Sequence, residues 1–372
     1  MRDLIGKQGV VGILVCLYAL VFGEVFVREL APVPIIPRYV TGASYGVRVG
    51  MPNMTFWQTT PETRVQVRTN SRGIRADREY PYEKPPGTCR IVIFGDSFFV
   101  GYEVNVEDSF ASLLEKRLNE SGYRCEVINL AVSGFGTSEM LVTLQQEGLK
   151  YHPDVVLFSS HMTDLDDNLR SALHTLDVHG DLVRKNASFL PGIRLSDELS
   201  KFFVYRWVVE NSQLYSAVRE RAAYYVKARM LSFKKHAEPS MGVSARESGS
   251  DAGEPASRFP QRLNLRLLEE ARRTSESNGA HFCVLEIPFN RSRTEFDRML
   301  PDYDPKVAGE LHVVSPLAEF QSQAGTSRML FYEKGHGHLT PQGNRLLADV
   351  FFSHLRDTGW LEAWRKPDDK RR

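Results

Sequence analysis

The stretch that decides the fold is Arg90–Ser97, RIVIFGDS, in which an apolar run ends abruptly at a glycine, an aspartate and a serine. β-Branched and aromatic residues fill Ile91–Phe94, which predicts a strand buried on both faces, and Gly95 lets the chain turn sharply after it. Ser97 would then lie at the carboxyl edge of a sheet, where open parallel α/β sheets bind their ligands. Taken alone, a Gly-Asp-Ser sequence more often means that Asp96 or Ser97 merely begins a turn or caps a helix.

Around this stretch, strand patterns alternate with helix patterns, which predicts right-handed βαβ crossovers and a parallel sheet covered by helices on both faces. Helices are predicted over Ser109–Asn119, Ser138–Gly148 and Phe259–Asn278 from their apolar spacing. A last helix is predicted over Pro341–Arg356, with Thr340 as its cap. The predicted strands are Arg90–Phe94, Glu126–Val132, Asp154–Ser160, His281–Ile287 and His312–Ser315.

The pattern changes along the chain predict a leader helix over 1–30, a β-rich extension over 31–88, an α/β domain over 89–360 and a polar tail over 361–372. An insertion over 170–258 interrupts the α/β domain. Its aromatic part, Phe202–Phe233, is predicted to form one or two helices that act as a cap or side wall, either packed on the sheet or bordering a pocket. Small and polar residues fill His236–Arg258, which predicts a mobile loop.

The leader contains the uncharged apolar segment Val10–Phe22, which continues past Glu24 into Val25–Val27. Read to Val27, it approaches the roughly 20 residues that a membrane helix needs. Because no small-x-small cleavage site comes after it, an uncleaved anchor is favoured over a signal peptide, and a buried core helix is the third possibility. Basic residues flank the segment about equally. We therefore place the body outside the cytoplasm, in the periplasm or at the cell surface, only because such leaders usually deliver the attached domain to that side.

The composition of the whole chain excludes other classes of function. The 372 residues are 42% hydrophobic and 25% charged, which is typical of a globular protein. The net charge of +1 gives no sign of a basic surface that would bind nucleic acid. The four cysteines match neither a zinc spacing nor a disulfide-dense scaffold. No cofactor is expected from any motif.

Three polar stretches are predicted at strand ends on one edge of the sheet, and a fourth lies far downstream. The first ends in Ser97, the second contains Gly134, the third runs through Thr163 and Asp164, and the last places His336 and His338 just before a helix. A serine hydroxyl needs a base within hydrogen-bond reach to become a nucleophile. Backbone N–H groups at glycine turns can then hold the oxyanion of a tetrahedral intermediate.

In the order of these motifs, the chain resembles the SGNH, or GDSL, hydrolase superfamily over roughly Arg90–Leu169 and His281–Leu355. The resemblance implies a flavodoxin-like, three-layer α/β/α fold and ester chemistry through an acyl-enzyme. It implies Ser97 as nucleophile and first oxyanion donor, Gly134 as second donor and His338 as general base. The leader and the RTNSRGIR segment before the sheet resemble membrane-anchored members associated with bacterial envelope or exopolysaccharide functions.

Two departures from the family pattern affect the predicted site. In the family, the third of these polar stretches usually has an asparagine before its aspartate, whereas this chain has Thr163 at that position. The Thr163 hydroxyl, or His161, could donate a hydrogen bond to the oxyanion instead. The last block usually has an aspartate two or three residues before the histidine, where this chain has His336 and Gly335. The orienting acid is therefore missing from its expected place, which leaves a Ser-His dyad held by a backbone carbonyl, or Asp164 or Glu333 as substitute.

Two further interpretations concern metal binding and disulfide formation. His336 and His338 could bind a metal only if His161 or Asp164 converged on them, so no metal site is expected. If the first two strands are neighbours, as the family's sheet order implies, Cys89 and Cys125 would lie about 5 Å apart at equivalent positions, which predicts a disulfide in an oxidising compartment. Cys16 and Cys283 are expected to be inert.

The sequence thus predicts an anchored serine esterase or acyltransferase that acts on an acylated carbohydrate, such as an O-acetylated envelope polysaccharide, or on a small ester. Water as acceptor would give hydrolysis, and a sugar hydroxyl would give transfer. The alternative is a weak or inactive SGNH-like module that binds glycan in an assembly.

Overall fold

The computed structural model describes residues 2–237, 259–292, 295–298, 305–323 and 329–365. The chain begins with helix α1 (Arg2–Leu30), whose segment Gln8–Leu30 is long and apolar enough to cross a membrane and is not buried against the rest of the protein. Length and composition alone support this statement, and a signal sequence would meet the same test. The extension after α1 is β-rich, as predicted, and contains two antiparallel pairs: β1 (Val40–Gly42) with β2 (Arg48–Gly50), and β3 (Thr55–Thr59) with β4 (Arg64–Arg68).

The central sheet has five parallel strands, and each lies within three residues of its predicted bounds. The strands are β5 (Cys89–Phe94), β6 (Cys125–Asn129), β7 (Val155–Ser160), β10 (His281–Glu286) and β13 (Val313–Val314). Their spatial order is β6, β5, β7, β10, β13. Counted along the chain, this is the order 2-1-3-4-5 of flavodoxin-like folds, so the predicted fold class is confirmed.

Helices cover both faces of the sheet because every residue of β5 is buried and its side chains alternate between two cores. Ile91 and Ile93 pack with α3 (Phe110–Glu120) and α12 (Pro341–Asp357). Val92 and Phe94 pack on the other face with α4 (Thr137–Gln146), α5 (Thr163–Ser171) and α9 (Phe259–Ser277). Thr340 caps α12 as predicted: its hydroxyl accepts a hydrogen bond from the N–H of Gly343 at 3.2 Å.

The described residues between α5 and α9 form one short hairpin and three helices. The helices agree with the predicted helical pattern, while the polar loop predicted over His236–Arg258 lies outside the described residues from 238 onward. The elements are β8 (His174–Leu176), β9 (Leu182–Arg184), α6 (Ile193–Leu199), α7 (Phe203–Asn211) and α8 (Gln213–Ala237).

Short elements complete the described part of the chain. A four-residue helix, α2 (Ser97–Val100), comes directly after β5, and three 3-10 turns lie over Val106–Asp108, Gly148–Tyr151 and Glu362–Trp364. The others lie between β10 and α12: β11 (Phe289–Ser292), β12 (Glu295–Asp297), α10 (Pro305–Glu310) and α11 (Leu317–Ser322).

The predicted disulfide is wrong. Cys89 and Cys125 are partners in register on neighbouring strands, as predicted, but both thiols are free. Side chains of adjacent parallel strands project in the same direction, about 4.8 Å apart. A disulfide instead needs Cβ atoms about 3.5–4.5 Å apart that point toward each other. The pair therefore supports no inference about an oxidising compartment.

Candidate active site

Ser97 is the first residue of α2, directly beyond the carboxyl end of β5. The turn between them is tight: a Cβ at Gly95 would meet Ser159 and Phe99. Asp96 caps the helix, since its carboxylate accepts a hydrogen bond from the N–H of Phe98 at 2.9 Å. The aspartate therefore has the capping role considered for it, while the serine hydroxyl is left to face His338.

His338 meets Ser97 at the same edge of the sheet. Its Nε2 lies 2.8 Å from the Ser97 Oγ. The imidazole is buried and held between two aromatic rings, with centroid distances of 5.0 Å to Phe98 and 5.2 Å to Tyr102. The predicted serine and histidine thus form a hydrogen-bonded pair although 241 positions separate them in sequence.

The other nitrogen of this imidazole, Nδ1, lies 3.0 Å from a carboxylate oxygen of Glu103. The Glu103 side chain is fully buried, and the same oxygen accepts the N–H groups of His336 and His338 at 3.3 and 3.4 Å. Its backbone has a positive φ of 67°, and its N–H donates to the Gln58 side chain at 2.9 Å. Non-glycine residues rarely adopt a positive φ, so the contacts around Glu103 must hold its backbone in this conformation. The same contacts therefore fix the position of its carboxylate.

Glu103 corrects the sequence prediction, which considered Asp164 or Glu333 as the orienting acid. Gly335 stands where the family's aspartate is expected, three residues before His338, and a Cβ there would overlap the Glu103 carboxylate. The glycine therefore provides the space that the carboxylate fills from another part of the chain. Gly335 was the available signal in the sequence, but nothing local indicates which acid approaches it.

Burial and hydrogen bonding set the protonation of this pair. Burial would raise the pKa of Glu103, but the hydrogen bond and charge of His338 outweigh it, and the pKa lies below its ordinary value. Burial lowers the pKa of His338 below 6.5, while the hydrogen bond and charge of Glu103 partly oppose the decrease. At neutral pH the site therefore contains a carboxylate and a neutral imidazole, which can accept a proton from Ser97.

Gly134 lies beside this pair, in the turn after β6, with a φ of 72° that favours glycine. Its carbonyl accepts hydrogen bonds from Arg48 at 2.8 Å and from Arg170 at 3.0 Å. Within the described ranges, the N–H groups of Gly134 and Ser97 have no acceptor. Both residues line a pocket of about 430 Å³, together with His161, Thr163, Lys227, Asn290, Phe331, His336 and His338.

His161 and Thr163 also line this pocket. The Thr163 hydroxyl is 3.0 Å from the His161 Nδ1, and the Thr163 N–H approaches the same nitrogen at 3.5 Å. Burial, with a smaller effect of His338, lowers the pKa of His161 to about 4. His161 is therefore neutral at pH 7. Because the Thr163 N–H can only donate, we assign Nδ1 as the acceptor of both Thr163 contacts and place the proton on Nε2. No residue of the described chain accepts from this nitrogen.

Asp164 does not contact His338, which corrects its place in the predicted site. Its carboxylate is fully buried at the start of α5 and accepts the N–H of His161 at 3.0 Å. Burial and the nearby Asp96 raise its pKa well above the ordinary value. Asp164 thus holds the turn that carries His161 through its hydrogen bond to the His161 N–H.

His336 lines the same pocket, and its Nε2 lies 3.4 Å from a carboxylate oxygen of Glu220 in α8. Both nitrogens of His338 face other partners, Ser97 and Glu103. Among the described residues, no group of three or more histidine, cysteine, aspartate or glutamate side chains could hold a metal ion.

Comparisons with known proteins give partial matches. No protein-family model matches the chain. An arylesterase of Vibrio mimicus is 36% identical over 75 residues, which make up 20% of this chain and 38% of that protein. The chain therefore spans well under half the length of the curated relative it matches.

The chain also aligns with solved structures at low TM-scores. TesA is 14% identical (72% of this chain, 98% of that chain, TM-score 0.35). The psychrotrophic esterase EstA from Pseudoalteromonas sp. is 13% identical (72% and 97%, TM-score 0.32). A member of the lipolytic protein G-D-S-L family from Veillonella parvula is 10% identical (71% and 97%, TM-score 0.34).

In its sheet order, and in the positions of Ser97 and His338 at the sheet edge, the chain is similar to the SGNH, or GDSL, hydrolase superfamily, as its motifs predict. It departs from the family pattern at two points. The carboxylate that contacts His338 comes from Glu103, and His161 and Thr163 stand in the third polar stretch, where the family usually has an asparagine before the aspartate.

Proposed function

We propose that the chain is a serine esterase that works through an acyl-enzyme on Ser97. The observation that carries the proposal is the 2.8 Å contact between Ser97 Oγ and His338 Nε2, with Glu103 on the other imidazole nitrogen. A hydroxyl, a neutral imidazole and a buried carboxylate in this order form the arrangement that activates a serine. A binding module would have no need for it.

In the proposed mechanism, Ser97 Oγ attacks the ester carbonyl while its proton moves to His338 Nε2. The Nδ1–H donates to Glu103, which stabilises the imidazolium and fixes its orientation. The tetrahedral intermediate then collapses: the bond to the alcohol breaks, and the alcohol leaves with the proton from Nε2. A water or a second hydroxyl attacks the acyl-enzyme with His338 again as base, which releases the acid or transfers the acyl group and restores Ser97.

The proposed oxyanion donors are the N–H groups of Ser97 and Gly134 and the Nε2–H of His161. The absence of acceptors for the two N–H groups in the described chain supports the first pair. The tautomer that Thr163 imposes supports the third donor, since Nε2 of a pocket-lining neutral histidine carries the proton. Thr163 would then be a positioning residue, because its hydroxyl is used on Nδ1.

His161→Ala is expected to lower kcat about 10²- to 10³-fold, as removal of one preorganised oxyanion donor does elsewhere. Thr163→Val should lower kcat less, because it removes the tautomer control and leaves the ring. The double variant should be no worse than His161→Ala, since the threonine acts through the histidine. Steady-state kinetics of the three variants measure this, and independent losses that multiply would contradict the assignment.

We further propose an acetyl or other short acyl ester of a carbohydrate as substrate. In support, polar side chains of Lys227 and Asn290 line the small pocket beside the apolar Phe331. Such a lining suits a short acyl group on an alcohol rich in hydroxyls. Hydrolysis, with water as acceptor, and transfer, with a sugar hydroxyl as acceptor, both fit the proposal.

We also propose that α1 is a retained membrane anchor. Glu24 in α1 accepts hydrogen bonds from the N–H groups of Gln213 and Leu214 at 2.9 and 3.0 Å and from the Ser212 hydroxyl at 2.7 Å. Cleavage of the leader would remove this cap from the start of α8. A helix that helps to hold the folded body is a less suitable signal peptide than an anchor.

The test of the esterase proposal is covalent labelling of the folded, detergent-solubilised full chain by a fluorophosphonate. We expect one phosphonyl group per molecule on the peptide that contains Ser97, located by mass spectrometry. Heat-denatured protein should not react, because the activating imidazole is then lost. Folded protein that stays unlabelled and does not hydrolyse p-nitrophenyl acetate would favour the glycan-binding alternative.

The pH dependence of kcat/KM is expected to report the pKa of His338. Neutral imidazole is the active form, so activity rises with pH through this pKa, and burial places the midpoint of the acid limb below pH 6.5. Glu103→Gln removes the charge that opposes the decrease, so its midpoint should move to lower pH. A midpoint above 6.5 in the wild type, or a shift to higher pH in the variant, would contradict the assignment.

A further inference from the structure

An apolar surface lies on α7, beside the leader helix and outside the candidate site. Phe203 and Val204 of α7 are 71% and 70% exposed, and Trp207, one turn further on, is 56% exposed. Phe202, just before the helix, is 66% exposed. Soluble proteins rarely leave a contiguous group of large apolar side chains in water, so this group marks a binding surface for a membrane or another molecule.

The position of α7 is fixed relative to α1. Arg28 of α1 donates to the Asn211 carbonyl at 2.8 Å, at the end of α7, and Glu24 caps α8 immediately after it. Trp207 lines an apolar groove of about 1150 Å³ whose other walls include Leu20 and Val21 of α1. Trp207 therefore lies beside the last apolar turns of the candidate membrane span.

The groups around this groove match the boundary of a bilayer. Trp57 also lines it, and the Arg64 guanidinium lies 4.6 Å from the centre of the Trp57 ring. Tryptophan is enriched at membrane–water interfaces, where basic side chains reach anionic headgroups. Arg206 of α7, next to Trp207 in sequence, is also exposed. Arg64 and Arg206 are thus the basic side chains beside the two tryptophans that can reach anionic headgroups.

We propose that α7, with Phe202, Trp207 and Trp57, lies in the interfacial layer of the same bilayer that holds α1. The occupant of this apolar surface is the lipid of an anionic membrane. An amphipathic helix with aromatic residues on one side and basic residues nearby is suited to this position. The inference uses the membrane placement of α1 and is independent of the ester chemistry.

The consequence concerns how close the candidate site lies to the membrane. Helix α8 begins at the Glu24 cap and passes Glu220, which contacts His336, and Lys227, which lies 2.9 Å from Asp167 at the pocket. At 1.5 Å per residue, the distance along α8 is roughly 10 Å to Glu220 and roughly 20 Å to Lys227. The pocket is thereby held near the headgroups. Taken together with the proposed ester chemistry, on which this one step rests, the placement implies a substrate ester presented at the membrane surface.

The test uses tryptophan quenching in full-length protein reconstituted in phosphatidylcholine–phosphatidylglycerol nanodiscs, with or without brominated acyl chains. The chain has four tryptophans, at 57, 207, 360 and 364, and none in α1. One variant retains only Trp207, and its matched control retains only Trp360, which stacks on His281 at the opposite edge of the sheet. A third variant has all four replaced by phenylalanine and carries Phe22→Trp in α1.

We expect Trp207 to be quenched most by bromines near the headgroup end of the chains and Trp360 to be unaffected. The Phe22→Trp reporter should be quenched most by deeper bromines, which shows that α1 is inserted. Quenching of this reporter without quenching of Trp207 would overturn the proposal and leave the surface to a protein partner. An unquenched reporter would overturn it by removing the anchor. Ester hydrolysis by the same samples in detergent is read separately, so failure of the esterase proposal remains distinguishable.

Discussion

His338→Ala is expected to lower kcat for p-nitrophenyl acetate about 10⁶-fold, to the level that binding and the oxyanion donors alone sustain. The reason is that Ser97 loses the only base within hydrogen-bond reach in the described part of the chain, at 2.8 Å from its Oγ. Labelling by a fluorophosphonate should disappear together with turnover. KM should change much less, because the imidazole acts on the proton and not on substrate binding.

A matched control is His179→Ala, which removes an exposed histidine in the turn between β8 and β9 and should leave kcat unchanged. Thermal unfolding of both variants shows whether the buried position tolerates the change. Ser97→Ala should cost about as much as His338→Ala, and the double variant no more than either, since the two groups act as a unit. A loss below about 10²-fold in folded His338→Ala protein would show that another group activates the serine.

Much of the fold could be predicted because its signals are local. The buried run Ile91–Phe94 and the helical spacing of Ser109–Asn119 each fall within one element, and both appear where expected. The disulfide failed because register gives the neighbours but not the direction of their Cβ atoms. The sequence pattern predicts which strands are neighbours in the sheet. It does not predict whether the side chains of two neighbouring strands have the geometry to form a covalent bond.

The candidate site divides in the same way. Ser97, Gly134 and His338 each follow or precede a recognisable element, so their common edge could be predicted. Glu103 could not, because its contact with His338 joins residues 235 positions apart and depends on a positive φ and on the space at Gly335. Likewise, the roles of His161 and Thr163 were left open by the sequence because they depend on which nitrogen carries the proton.

Glu103→Ala is expected to lower kcat about 10⁴-fold, the effect that loss of the orienting carboxylate has in serine hydrolases. The variant leaves Ser97 and His338 in place but removes the acceptor of the Nδ1 proton, so the imidazole can adopt the wrong tautomer. Stopped assays at pH 7 measure the loss. Glu107→Ala, an exposed acid four residues further on, is the matched control and should retain wild-type kcat.

Gly335→Asp in the Glu103→Ala background then tests the geometry itself. A Cβ at position 335 would overlap the native Glu103 carboxylate, so the new carboxylate would reach nearly the same place beside His338 Nδ1. The double variant should therefore recover at least part of the lost rate, whereas Gly335→Asp alone should be impaired, because two carboxylates would compete for one space. A structural role for Glu103 in holding the loop around His336 predicts the opposite, because a charge at a different backbone position would not restore those N–H contacts. Recovery of kcat without recovery of thermal stability would thus show that Glu103 orients His338. Recovery of neither would show that Glu103 acts by holding the loop around His336.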